Sequence, residues 1–468
     1  MTTVGRSTRG TVRAEPSAPS IDPILAWPER NPEIWVIVSA LLGVAMSEIG
    51  LIATAHAAVV VLTSVVVAFG SRQLPRLLIV MVYGGLCDVL WRMTSSRAPW
   101  EASKYIVVLA ALSALIRLVP KPQSLGLPAL MIAFLVPGAI WTLLNTPLDS
   151  ARDNISFVLM GSVALASGTA LCRQITVSRR ELRGLLWWGL SACMTVWGFT
   201  AWGTLKAGDI EFGTESLSAT SGGFGPNQVS TALGLGALLA LASIMLGAAG
   251  RRRVVGMVAA LLLVAQAMIT LSRGGVYALA LAAVAMVLVS MFLSGNRSRG
   301  FVILGIGLVI GLIALNWAQS FSGGAVEERT KEGDSGRGKI ASAEVELFWS
   351  HPLTGVGVGQ APHHRGQSLG HLDSAASHNE YSRLVAEHGL LGVGAIATLG
   401  AMGLSAFRRS SDPRARAVAL GLCIWSAAVM SHSATRIAAV AAMFGVATLN
   451  VLDDTDLNTP YQEGGSKI

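Results

Sequence analysis

The chain has 468 residues, 52% of them hydrophobic and 13% charged, with a formal net charge of +8 and a mean hydropathy of +0.57. Such a composition excludes a string of soluble domains and defines a polytopic membrane protein. The basic excess requires no nucleic acid, because anionic headgroups hold basic residues that cluster beside membrane spans.

Residues 1–33 carry Arg6, Arg9, Arg13 and Arg30 among Ser, Thr and Pro without an apolar run. This predicts a disordered cytoplasmic tail and no cleavable signal peptide. Crossing about 30 Å of hydrocarbon takes roughly 20 apolar residues, and helices satisfy their own backbone there. Fourteen segments approach that length: 34–49, 51–70, 76–93, 103–119, 127–145, 155–173, 184–204, 229–249, 254–272, 275–293, 300–318, 389–407, 415–432 and 435–452. The expected fold is therefore all-α, with twelve to fourteen transmembrane helices at 34–318 and 389–452, a polar segment at 319–388 between them, and a cytoplasmic tail at 453–468.

Charge sets the orientation. Arg72, Arg76, Arg117, Lys121, Arg173, Arg179, Arg180, Arg183, Arg251 to Arg253, Arg297, Arg299, Arg408, Arg409, Arg414 and Arg416 fall in alternate connections; with the four tail arginines and Lys467 they make 22 of the 35 basic residues. The positive-inside bias then puts both termini in the cytoplasm. It puts 319–388, the acidic loop 205–228, the turn Ser272-Arg273-Gly274 and the turn from His432 to Arg436 outside. Cys87, Cys172, Cys193 and Cys423 sit in or beside apolar spans without paired spacing, as packing residues do.

The polar segment holds six of the eight histidines: His351, His363, His364, His371, His378 and His388. Their spacing fits no compact zinc pattern, so no metal or other cofactor is expected. Most read as solvated loop residues. His378 stands with Asn379 at a helix start, where Asn is a natural cap. Arg273 occupies a tight turn beside two glycines: it either snorkels to headgroups or grips phosphate oxygens bidentately. Arg337 begins a segment in which Ile340, Ala343, Leu347 and Phe348 share one face while Lys339, Glu344 and Glu346 fall elsewhere. Such a helix is expected to lie on the outer membrane surface with Arg337 at its N-terminus, although an ordinary loop arginine is the plainer reading. The glycines of His351 to Gly359 lack a βαβ context and read as a turn returning to the membrane, not as a nucleotide loop.

Taken in order, Gly225-Pro226-Asn227-Gln228, Ser272-Arg273-Gly274, Arg337, His351-Pro352-Leu353-Thr354-Gly355-Val356-Gly357 and His378-Asn379, nine residues, then Gly389 and Gly392 resemble the O-antigen ligase and O-antigen polymerase superfamily. The likeness covers about the C-terminal half; the N-terminal half contributes hydropathy and no motif. It implies a GT-C-like glycosyltransferase in the inner membrane that uses a glycan on undecaprenyl or a related polyprenyl diphosphate as donor. A glycolipid or glycan hydroxyl is the acceptor, among membrane lipids, on the extracytoplasmic face, without nucleotide sugar, divalent metal or nucleic acid. Arg273 and Arg337 match the positions that stabilise the departing diphosphate, and His378 matches the base, an imidazole with a reference pKa of about 6.5. Asn227, Asn379, Glu387, His432 and Arg436 are substrate-side positions by face alone. Ligase and repeat-unit polymerase both fit, with the histidine motif favouring ligase. A transporter is the rival from another class, but no charged residue sits mid-span in corresponding halves, and Asp88 lies toward a span end.

Overall fold

The computed structural model describes residues 22–122, 125–208, 217–294, 336–365 and 377–452, with isolated positions between 311 and 323. It is an all-α polytopic membrane protein. Thirteen of the fourteen segments are helices: Pro32–Glu48, Gly50–Gly70, Leu74–Leu86 continued by Asp88–Met93, Ala102–Arg117, Gly126–Asn145, Leu148–Cys172, Arg179–Lys206, Pro226–Met245, Arg251–Ile269, Arg273–Ser294, Leu390–Arg409, Pro413–Ser433 and Ala438–Ala447. Segment 300–318 lies outside the described residues apart from positions 311, 312, 315 and 316. Among the described residues, nine helices are long and apolar enough to cross a membrane.

Local chemistry sets the helix starts. Ser178 and Glu181 form a reciprocal capping box, Ser178 Oγ accepting from the Glu181 N–H at 3.1 Å and the Glu181 carboxylate from the Ser178 N–H at 2.8 Å. Asp412 caps the helix from Pro413, and prolines stand in the first turns of those starting at Pro32, Leu74 and Pro226, where the missing N–H costs nothing. The Pro32–Glu48 and Arg179–Lys206 helices meet closely. A Cβ on Gly43 would overlap the Thr195 carbonyl, and one on Gly198 the Ala40 carbonyl. The Gly50–Gly70 helix instead turns apolar residues outward, Val66 being 68% exposed, as a lipid-facing span must. All four cysteines are buried and none forms a disulfide.

Successive helices reverse direction, so their connections fall at two ends. One end carries the two short strands Thr176–Ser178 and Asn450–Leu452, paired in parallel with Thr176 opposite Asn450, a small addition to the helical fold. Here lie the described basic connections, including Arg179, which pairs with Asp412 at 2.9 Å. Part of the expected disordered tail is ordered at this strand end. Pro23–Arg30 is a helix capped by Asp22, and its Glu29, 2% exposed, pairs with Arg183 at 2.9 Å and Arg252 at 3.2 Å. Paired burial of that carboxylate fastens the segment. The opposite end carries His378, the 336–365 segment and the turns at 94–101, 270–272 and 433–437.

Candidate functional site

The Arg337–Ser350 helix does not leave its whole apolar face open to a membrane surface. It packs on the Glu380–His388 helix and buries Ile340, Glu344 and Leu347. Glu344, expected off the apolar face, has no exposed surface. Its carboxylate accepts from Arg365 at 2.8 Å, from Ser382 Oγ at 2.6 Å and from Ser377 Oγ. A buried carboxylate is tolerated when both of its oxygens are hydrogen-bonded and a cation pairs with it in this way. Seven residues earlier, two turns along the same face, Arg337 starts the helix at an exposed position.

His378 and Asn379 lead into the Glu380–His388 helix. Asn379 caps it, its Oδ1 accepting from the N–H of Tyr381 at 2.9 Å and of Ser382 at 3.4 Å. His378, immediately before the cap, lines a cavity of about 150 Å³ together with Arg337, Ala341, Glu344, Asn379 and Ser431.

The far end of that helix explains the glycines. Its last carbonyls accept from the glycine-rich run, Val356 N–H to Ala386 and Gly357 N–H to Glu387, both at 3.0 Å, and the Leu390 N–H donates to the Pro352 carbonyl at 2.7 Å. Gly355 (φ 67°) and Gly389 (φ 60°) face each other across this junction. A Cβ on Gly355 would strike the Glu387 backbone, and one on Gly389 would strike Pro352 to Gly355. The run is a structural turn, as its sequence predicts.

A second cluster adjoins the cavity. Asn227 Nδ2 donates to the His432 carbonyl at 3.0 Å and to Ser433 Oγ at 2.8 Å, while Ser272 Oγ donates to Asn227 Oδ1 at 3.4 Å. Gly274 leaves no room for a Cβ against Asn227 and His432. Arg273 is therefore one residue from this cluster, although it does not line the 150 Å³ cavity. Arg337 acts electrostatically on both His432 and Arg436. Arg436 Nη2 donates to the Ser377 carbonyl at 2.5 Å, and the Ala434 N–H to the His378 carbonyl at 3.1 Å. Arg337, His378, Asn379, Asn227, His432 and Arg436 thus converge from separate stretches of chain, with Arg273 adjacent.

Glu387 stands apart. It is 2% exposed and accepts from the Gly359 N–H; burial pushes its carboxyl up to about 7 against the pull of Arg383 and that N–H. Its neighbour His388 has no exposed surface and packs on Gly138; burial first, then Arg383, pushes its ring down to about 3. His351, His363 and His364 are exposed, and His371 lies outside the described residues.

Sequence reasoning missed a buried charge cluster in the N-terminal half, which is therefore more than hydropathy. Arg92 pairs with Asp88 at 3.0 Å and lies 3.8 Å from Glu101, which pairs with Lys104 at 2.5 Å. The four-residue spacing of Asp88 and Arg92 within a predicted span, and the three-residue spacing of Glu101 and Lys104 at the start of the next, were the available signal. Glu380, paired with Arg383 at 2.5 Å, was also missed.

These features define a multi-pass helical membrane protein with a cavity lined by Arg337, Glu344 and His378 at one end of its bundle. Residues 258–397 match the family model for O-antigen ligases, Wzy_C, and this match supports a place in the O-antigen ligase superfamily. Members of that family are glycosyltransferase-like ligases, and the family implies lipid-linked glycan substrates in a membrane context. A comparison with curated proteins finds no match.

Proposed function

We propose that the protein is a ligase that moves a glycan from a polyprenyl diphosphate, undecaprenyl diphosphate or a near relative, to an acceptor hydroxyl on the extracytoplasmic face of the inner membrane. The reading rests on one observation: Arg337 and His378 line the same cavity. The acceptor oxygen attacks the anomeric carbon while an imidazole nitrogen of His378 takes its proton. The bond from that carbon to the diphosphate oxygen breaks, and the leaving polyprenyl diphosphate carries the electron pair. Arg337 and Arg273 offset this growing negative charge, so the displacement needs no divalent metal and inverts the anomeric centre. Asn227, Asn379, His432 and Arg436 border the substrate, and holding donor and acceptor in one cavity gives the proximity advantage.

The test is transfer by purified protein in detergent from a polyprenyl-diphosphate oligosaccharide, with EDTA, in the presence and absence of a glycolipid acceptor. One acceptor-dependent band is the expected product. A ladder from donor alone would make the enzyme a polymerase, and transfer that requires an added divalent ion would overturn the metal-free route.

A further inference from the structure

The turn at 434–438 is gripped from several directions. Its Ala434 has φ 52°, a left-handed conformation that a side chain rarely adopts and that surrounding contacts must impose. The Thr435 N–H and Oγ1 both donate to Glu380, each at 3.2 Å. From the N-terminal half, Arg92 Nη1 donates to the Arg436 carbonyl at 3.0 Å, and Asp88 Oδ2 accepts from the Ala438 N–H at 2.8 Å. Arg92 is itself held by the Asp88 carboxylate, by the Trp100 carbonyl at 3.2 Å and by the Trp100 ring, 4.6 Å from its guanidinium carbon. The turn passes this fixation onward: Ala434 donates to the His378 carbonyl, and Arg436 to that of Ser377.

We infer that Asp88 and Arg92 are positioning residues, which clamp the 434–438 turn from the N-terminal half and through it hold the Ser377–His378 backbone in place. Neither lines the cavity. Their action is indirect: Arg92 to the Arg436 carbonyl, Arg436 to the Ser377 carbonyl, and hence to the imidazole that follows. The inference deepens the proposed reaction and rests on it for the role of His378, but the geometric coupling is measurable without turnover.

Two readouts separate the two ideas. The first is the rate at which diethyl pyrocarbonate modifies His378, followed by mass spectrometry, with exposed His351 as internal reference. The second is the split between kcat and the KM for lipid-linked donor. Arg92→Gln removes the clamp; Asp88→Asn keeps the volume and an acceptor for Ala438 but loses the charge that holds Arg92, so it tests the coupling even if Arg92→Gln fails to fold. Glu29→Gln, which breaks a comparably buried pair at the strand end, reports what lost stability alone does. The expected result is at least a threefold change in His378 labelling relative to His351. A tenfold or greater fall in kcat should accompany it with KM within twofold, in Asp88→Asn and Arg92→Gln but not in Glu29→Gln. Unchanged labelling and kcat in a folded Asp88→Asn or Arg92→Gln protein would overturn the inference. A wild type that transfers nothing, combined with altered labelling, would sink the proposed reaction and leave the clamp standing.

Discussion

Both ends of the bundle bury charged side chains, yet the charges hold different things. At the strand end Glu29 takes Arg183 and Arg252, and Asp412 takes Arg179, so that each pair fastens one helix to another. The cavity there, about 160 Å³, is lined mostly by apolar side chains such as Leu78, Ile175, Val177 and Leu182. At the His378 end Asp88, Arg92 and Glu380 pair as well, but each also grips a backbone group or hydroxyl of one turn, beside a cavity that presents Arg337, Glu344 and His378. Fastening serves stability. Gripping a turn serves the geometry of the histidine attached to it.

The comparison breaks most readily at His378. His378→Ala should lower transfer by about a thousandfold, within the range for a lost general base, with membrane insertion and melting temperature unchanged; retained transfer removes it as the base. Arg337→Lys should cost roughly a hundredfold in kcat, because a point charge does not replace a bidentate fork at a developing oxyanion. Transfer kinetics of this variant within twofold of wild type would return Arg337 to the role of a loop arginine.

Glu344→Gln tests whether the His378 end is also braced. Removing one partner of a fully buried pair costs about 3–5 kcal/mol, so thermal unfolding in detergent should shift down by several degrees, and Arg337 should lose its place relative to His378. The smallest effect is pH-dependent. Glu387 has its folded pKa raised to about 7 by burial, above the ordinary carboxyl range, so the folded state binds more protons than the unfolded one. Its stabilising contribution is complete below the unfolded pKa and is lost as pH rises toward 7. Glu387→Gln should therefore gain in melting temperature relative to wild type as pH rises from about 4.5 to 7, with a constant gap above that. A gap independent of pH would mean that the carboxyl titrates normally.

The helices were legible because each span must satisfy its own backbone, which forces long apolar runs and local caps such as Ser178 with Glu181 and Asp412 before Pro413. The helix start that carries His378 was legible for a related reason. His378, Asn379 and Gly389 belong to one short helix and its two ends, and Gly392 lies in the first turn of the helix that follows, so their spacing in sequence is their spacing in space. Glu344 was misread because a carboxylate on a mixed face looks solvated until its partners are known, and Arg365 and Ser382 come 21 and 38 residues later. The clamp was illegible for a stronger version of the same reason: Arg92 and Asp88 reach groups 344 and 350 residues away. No local periodicity encodes a side chain waiting for a distant carbonyl.

That separation has a consequence for biogenesis. Asp88 and Arg92 are synthesised and inserted long before the backbone of Arg436 and Ala438 exists, so during most of translation these charges have each other, Glu101 and Lys104 for company. The near-neutral cluster keeps them tolerable in the bilayer in the meantime. On the inferred clamp, the Ser377–His378 backbone is held only once the last helical hairpin has arrived and its turn has met Asp88 and Arg92. A chain stopped before residue 434 would lack the backbone groups that Asp88 and Arg92 grip. The segment matched by the family model, 258–397, contains neither side of the inferred clamp.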